Sequence, residues 1–90
     1  MLIVAECLSS YEGVDLLVRH ISSRLSSLEK FKCGSLIFAI DFCLRELLNN
    51  AVEHGNRFKR EKKIKCIFHS IDLDIYILVK DDGPGFCLNS

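Results

Sequence analysis

Two short motifs in this sequence of 90 residues have the residue types and spacing that binding or catalysis needs. The first is Glu46-x-x-x-Asn50-Ala51-x-x-His54-Gly55. On a helix, the carboxylate of Glu46 and the carboxamide of Asn50 lie one turn apart on one face and can act on the same ligand. The amide oxygen suits Mg²⁺, which usually shares its coordination shell with phosphates and water. The carboxylate could accept a proton from an attacking hydroxyl or water.

The second motif is Asp81-x-Gly83-x-Gly85, which follows a predicted strand. Its glycines let the backbone approach a flat ligand closely, and an aspartate at a strand end can accept a hydrogen bond from an exocyclic amine. Each motif alone also has an ordinary interpretation. The first could be polar residues near a helix end, and the second could be turn-forming Asp-Gly-Pro-Gly chemistry.

The elements that position these motifs follow from hydrophobic periodicity. A short strand is predicted over Leu2 to Glu6, followed by a helix that Ser9 caps in a box with Glu12. Apolar residues then recur at helical spacing and predict one buried face. They are Val14, Leu17, Val18, Ile21, Leu25 and Leu28.

A second helix is predicted from about Ser35 to Glu53. It has a broad apolar face, and Phe38 and Phe42 lie on the opposite side, which predicts a central helix buried between the first helix and a sheet. Two alternating segments follow and predict an antiparallel hairpin with its break around Ser70 to Asp72. Their inward residues are Ile64, Cys66 and Phe68 in one strand and Leu73, Ile75, Ile77 and Val79 in the other. The predicted fold class is therefore α+β.

Composition restricts the classes of protein that this chain can represent. Hydrophobic residues make up 49% and charged residues 27%, as in one small globular domain. Lys plus Arg and Asp plus Glu both total 12, so nothing favours nucleic acid or an anionic membrane as partner, despite a basic segment from Arg57 to Lys65. The five cysteines form no CxxC pair, and the start of the chain has no basic leader. We expect reduced thiols and a cytoplasmic location.

In this order, the two motifs resemble the N box and the first glycine box of the GHKL (Bergerat-fold) ATPases. The likeness is strongest to the branch of anti-sigma-factor serine/threonine kinases. In that branch the helix reads Glu-x-x-x-Asn-Ala-x-x-His-Gly and the strand runs into Asp-Asp-Gly-Pro-Gly-Phe, as residues 46–55 and 81–86 do here. The resemblance implies a partial Bergerat-type α/β sandwich, with both helices on one face of a mainly antiparallel sheet. Residues 1–90 would be the N-terminal portion of a histidine kinase-like ATPase domain.

The resemblance also implies a role for each motif residue. Asn50 would coordinate Mg²⁺ bound to ATP or ADP, and Glu46 would be the base that activates a serine or threonine hydroxyl. Asp81 would bind the adenine amino group, with Gly83 and Gly85 shaping the loop beside it. Three further residues would line or border the pocket: Asn49, Glu53 and His54. The family's protein partners are a sigma factor and an anti-sigma antagonist, the latter being the substrate.

The sequence departs from the family after Ser90, where relatives continue into a lid, a second glycine box and more strands. Phosphoryl transfer depends on such positioning around the phosphates, so we expect little turnover by these 90 residues alone. An alternative is a catalytically inactive interaction module that binds a regulator or self-associates through an uncovered sheet edge, as a dimer or otherwise. A weaker alternative is a fragment of a histidine-kinase ATPase domain.

Overall fold

A computed structural model describes residues 1–57, 59, 61–72 and 74–81. A short 3-10 turn follows the first helix, and a π-helical turn over Ala51–Gly55 extends the second. The main elements are β1 (Leu2–Leu8), α1 (Tyr11–Ser26), α2 (Gly34–Asn50), β2 (Lys63–Ile71) and β3 (Asp74–Asp81). The predicted order of strand, helix, helix and hairpin is confirmed, and β1 extends two residues beyond its predicted end at Glu6.

The three strands form an antiparallel sheet in the order β1-β2-β3. Phe68 in the central strand lies opposite Ile3 on one side and Ile77 on the other. Side chains alternate between the two faces of a sheet, and the face that carries these three residues packs against the helices. The α+β fold with both helices on one sheet face is therefore confirmed. In the described ranges, no helix is long and apolar enough to cross a bilayer.

Five of the predicted apolar positions of α1 are buried. The helix cap and the last predicted apolar residue differ from the prediction. Ser10 caps the helix by accepting a hydrogen bond from the Gly13 N–H at 3.0 Å, so the prediction of Ser9 as the cap is wrong. Ser9 instead continues the pairing of β1, since its N–H donates to the Lys62 carbonyl. Leu28 lies beyond the end of the helix and is exposed.

The prediction that α2 is buried from two directions is wrong. Phe38 is 73% exposed and Phe42 59% exposed. The helix α2 lies beside α1 on the same face of the sheet, and not between α1 and the sheet. Only its stripe of Ile40, Leu44 and Leu48 is therefore buried. Polar side chains join the two helices where they pack together. The Arg45 guanidinium forms ion pairs with both Asp15 of α1 and Asp41 of α2.

The interior of the domain contains Phe31, which packs edge-on against Phe68 with ring centroids 6.3 Å apart. The predicted inward residues of the hairpin face this core, except Leu73, which lies outside the described residues.

The thiols of the cysteines lie in contrasting environments. Burial raises the pKa of the Cys66 thiol to about 11. The Cys33 thiol is exposed at the start of α2, and hydrogen bonds from the Ser35 hydroxyl and from backbone N–H groups lower its pKa.

Candidate functional site

The second helix changes its winding where the first motif ends. The Asn56 N–H donates to the carbonyl of Ala51, five residues earlier, at 2.8 Å, so Ala51–Gly55 forms a π-helical turn. The uninterrupted helix predicted up to Glu53 therefore ends at Asn50. A π turn redirects the side chains that follow it, and such turns are frequent at functional sites. The Asn56 side chain fixes the turn, because it is buried and donates to the Lys63 carbonyl at the start of β2.

The turn brings Gly55 against the carboxylate of Asp81. A Cβ atom on Gly55 would lie 1.9 Å from Asp81 Oδ2, well inside van der Waals contact. Only a residue without a side chain leaves the carboxylate in this position. Asp81 is the last residue of β3 and pairs with Ile64. The structure therefore joins the end of the first motif to the start of the second.

Glu46 and Asn50 lie on the exposed side of α2. The small residues of the same stripe, Ala39 and Cys43, are exposed as well. The predicted stripe is thus an open surface with a carboxylate and an amide oxygen one turn apart. Asn49, next to them, is half-buried.

Glu53 is held by a residue that the sequence did not indicate. The Tyr11 hydroxyl, at the start of α1, donates a hydrogen bond to Glu53 Oε2. This bond, with smaller contributions from burial and from the negative charge of Glu53, raises the pKa of the Tyr11 phenol. His54 is exposed, and its Nε2 lies 3.8 Å from Glu53 Oε1. Glu53 therefore anchors the turn to α1, and no periodicity in the sequence indicates a contact between two such distant positions.

The donor atoms at this site fit Mg²⁺ in a nucleotide complex. Mg²⁺ takes oxygen ligands and usually keeps several waters and substrate phosphates, so it needs one or two protein ligands. Asn50 is exposed, and its side chain carries an amide oxygen of the kind that Mg²⁺ takes. Among the described residues no group of three or more His, Cys, Asp or Glu side chains could hold a metal ion. Gly83 and Gly85 lie outside those residues.

The sequence matches a known protein family. The family model of the histidine kinase-like ATPase domain matches residues 11–89, a range that contains both motifs. No curated protein matches the chain.

Proposed function

The chain belongs to the histidine kinase-like ATPase domain family, and on that premise we propose that it binds ATP as a domain of the anti-sigma-factor serine/threonine kinase type. The family supports ATP binding. The kinase type is supported by the motif Glu46-x-x-x-Asn50-Ala51-x-x-His54-Gly55, which resembles that branch.

One observation carries the proposal: the approach of Gly55 to the Asp81 carboxylate. A nucleotide is long, so its base and its phosphates need protein groups from separate elements. The contact between the π-helical turn and the end of β3 provides such a pair of elements. It places a hydrogen-bond acceptor beside the helix that carries an amide and a second carboxylate.

In this proposal each residue has a distinct task. The Asp81 carboxylate accepts a hydrogen bond from the adenine amino group, which selects adenine over a base with a carbonyl at that position. Asn50 holds Mg²⁺, which supplies positive charge beside the phosphates. Glu46 accepts the proton of a serine or threonine hydroxyl as that hydroxyl attacks. Asn49 and His54 line the pocket edge, and Gly83 and Gly85 shape the loop beside the base.

The partners proposed here follow from the same branch. The phosphorylated substrate is an anti-sigma antagonist protein, the second partner is a sigma factor, and the setting is the cytoplasm.

Calorimetric titration with Mg-ADP and Mg-ATP tests nucleotide binding. We expect saturable binding by the wild-type chain and a loss of about 10- to 100-fold in affinity for Asp81→Asn, because a hydrogen bond to a charged group contributes about 1.5–3 kcal/mol. Gly34→Ala is the matched control, since a Cβ there meets nothing within 4 Å. No binding of either nucleotide at millimolar concentration overturns the proposal and favours the non-enzymatic interaction module.

Phosphoryl transfer is tested separately from binding. With a serine-containing antagonist protein as substrate, Glu46→Ala is expected to abolish the slow transfer by the wild-type chain while nucleotide affinity changes less than threefold, because the residue acts on the hydroxyl rather than on the nucleotide. Equal loss of binding and transfer would refute the role of Glu46 as a base.

A further inference from the structure

A cavity of about 410 Å³ lies between the residues that precede and begin α2 and the turn end of the β2–β3 hairpin. We call it the hairpin cavity. Small-molecule sites are typically of this size and combine apolar walls with a few polar groups. The described residues that line this one are three apolar and three polar: Phe31, Leu36 and Ile75, with Lys30, Ser70 and Asp72.

Ser70 is an unexpected residue at its position in the sheet. The preceding inward residues of β2 are Ile64, Cys66 and Phe68, which are buried and apolar. Ser70 continues this row and is only 2% exposed, yet its Oγ has no hydrogen-bond partner among the described residues. A buried hydroxyl without a partner destabilises a fold, and native proteins contain few of them. Because a serine side chain turns about one bond, a ligand atom in the adjoining cavity can supply the missing partner.

The rim of the hairpin cavity carries two opposite charges. Lys30 and Asp72 are both exposed, and they belong to different elements, the 3-10 turn before α2 and the hairpin turn. Lys30 Nζ lies 5.6 Å from the centroid of the Phe31 ring, which holds the ammonium group over an apolar wall. In the ranges that the structure describes, neither charge forms an ion pair. A ligand with both a carboxylate and an ammonium group would find a partner for each.

We propose that the hairpin cavity binds a free α-amino acid with a phenolic side chain, such as L-tyrosine. The carboxylate of the ligand pairs with Lys30 and its ammonium group with Asp72. Its ring lies against the apolar wall, and its phenol forms a hydrogen bond with the Ser70 hydroxyl. A tyrosine residue inside a protein chain lacks both charges, so the rim selects the free amino acid.

The hairpin cavity is separate from the proposed nucleotide site. Ser70 pairs with Ile75 near the turn end of the hairpin, whereas Asp81 pairs with Ile64 at the other end. The two positions on β2, Ser70 and Ile64, are about 20 Å apart at ~3.3 Å per residue. The inference therefore goes beyond the proposed function.

Calorimetric titration of the full chain with L-tyrosine, in the absence of nucleotide, tests the proposal. We expect saturable binding with a submillimolar dissociation constant. L-Phenylalanine lacks the hydroxyl and is expected to bind about 3- to 10-fold more weakly. N-acetyl-L-tyrosine amide lacks both charges and is expected to bind about threefold more weakly or less tightly still. No saturable binding of L-tyrosine overturns the proposal, as does equal affinity for L-tyrosine and L-phenylalanine.

Substitution of Ser70 tests the hydrogen bond. Ser70→Ala is expected to lower the affinity for L-tyrosine about 3- to 10-fold and to leave that for L-phenylalanine unchanged. Ser9→Ala is the matched control, because the Ser9 Oγ is also buried without a partner among the described residues, and Ser9 does not line this cavity. Circular dichroism verifies folding of both variants. An equal loss of L-tyrosine affinity in the two variants overturns the assignment.

Two further variants test the rim and the independence of the site. Lys30→Gln is expected to weaken L-tyrosine binding, whereas Lys32→Gln, which removes an exposed lysine outside the cavity lining, is expected to leave it unchanged. Equal effects of the two substitutions would contradict the role of Lys30. Asp81→Asn is expected to bind L-tyrosine as the wild type does. Failure of this proposal is thereby distinguished from failure of nucleotide binding.

Discussion

The contact between Gly55 and Asp81 can be tested by adding a single methyl group. In Gly55→Ala the new Cβ lies 1.9 Å from Asp81 Oδ2, so the carboxylate or the turn has to move by roughly 1 Å or more. The carboxylate is the far end of a flexible, half-buried side chain, so its movement relieves the clash at a cost of about 1 kcal/mol. Against this, alanine in a helical turn is favoured over glycine by ~0.5–1 kcal/mol. The two contributions nearly cancel, so we expect the free energy of unfolding to change by less than about 1 kcal/mol.

A double-mutant cycle separates the two contributions. In an Asp81→Ala background the clash is absent, so Gly55→Ala is expected to stabilise the domain by ~0.5–1 kcal/mol. The coupling free energy between the two positions is then about 1 kcal/mol. Urea unfolding followed by circular dichroism measures each member, and thermal unfolding gives an independent reading at ~4–8 °C per kcal/mol for a domain of this size.

Gly34→Ala again serves as the control. A Cβ there meets nothing within 4 Å, so any change in stability reflects backbone preference alone. If Gly55→Ala changes the free energy of unfolding by the same amount with and without the Asp81 side chain, the two residues are not in contact. The proposed site then loses its geometric basis. If they are in contact, Gly55→Ala is also expected to weaken Mg-ADP binding, because it displaces the proposed adenine ligand.

Three further predictions rest on other parts of the structure. Gly13→Ala is expected to destabilise the domain by about 3 kcal/mol in urea unfolding, because its Cβ would lie 2.4 Å from a backbone carbonyl oxygen of β1 that cannot rotate away. At mildly alkaline pH, iodoacetamide is expected to modify Cys33 well before Cys66, as peptide mass spectrometry would show, since the pKa of the first thiol is lowered and that of the second raised to about 11. Equal labelling rates would contradict the assigned environments. The hydrogen bond from Arg45, more than the charges around it, lowers the pKa of Asp15 below its usual 3.8. The bond therefore stabilises the fold at neutral pH, and this stabilisation is lost as the pH falls below 3.8 and through the lowered pKa. The urea midpoints of wild type and Asp15→Asn are expected to converge only below that pH.

The elements of the fold could be predicted because each depends on local periodicity. Helical spacing of apolar residues identified both helices, and alternation identified the inward residues of the hairpin, such as Cys66 and Phe68. The two motifs placed the candidate site residues on a helix and after a strand. These inferences hold because a side chain's direction follows from the geometry of its own element.

Contacts between distant elements required the tertiary structure. Periodicity shows that Phe38 and Phe42 lie opposite the main apolar face, but it does not show whether another element covers them, and none in the described part of the chain does. The approach of Gly55 to Asp81 and the hydrogen bond from Tyr11 to Glu53 join residues far apart in the chain. Packing decides such contacts, because it fixes where each element lies.

The sequence by itself determined the α+β fold class and the resemblance to the GHKL ATPases, since both follow from residue type and spacing. Only the tertiary structure decided that the exit of α2 meets the end of β3 through Gly55, and that the sheet face turned away from the helices exposes apolar side chains such as Val4 and Leu78. The physical reason is register: pairing β1, β2 and β3 at defined positions converts separate alternating strands into one surface.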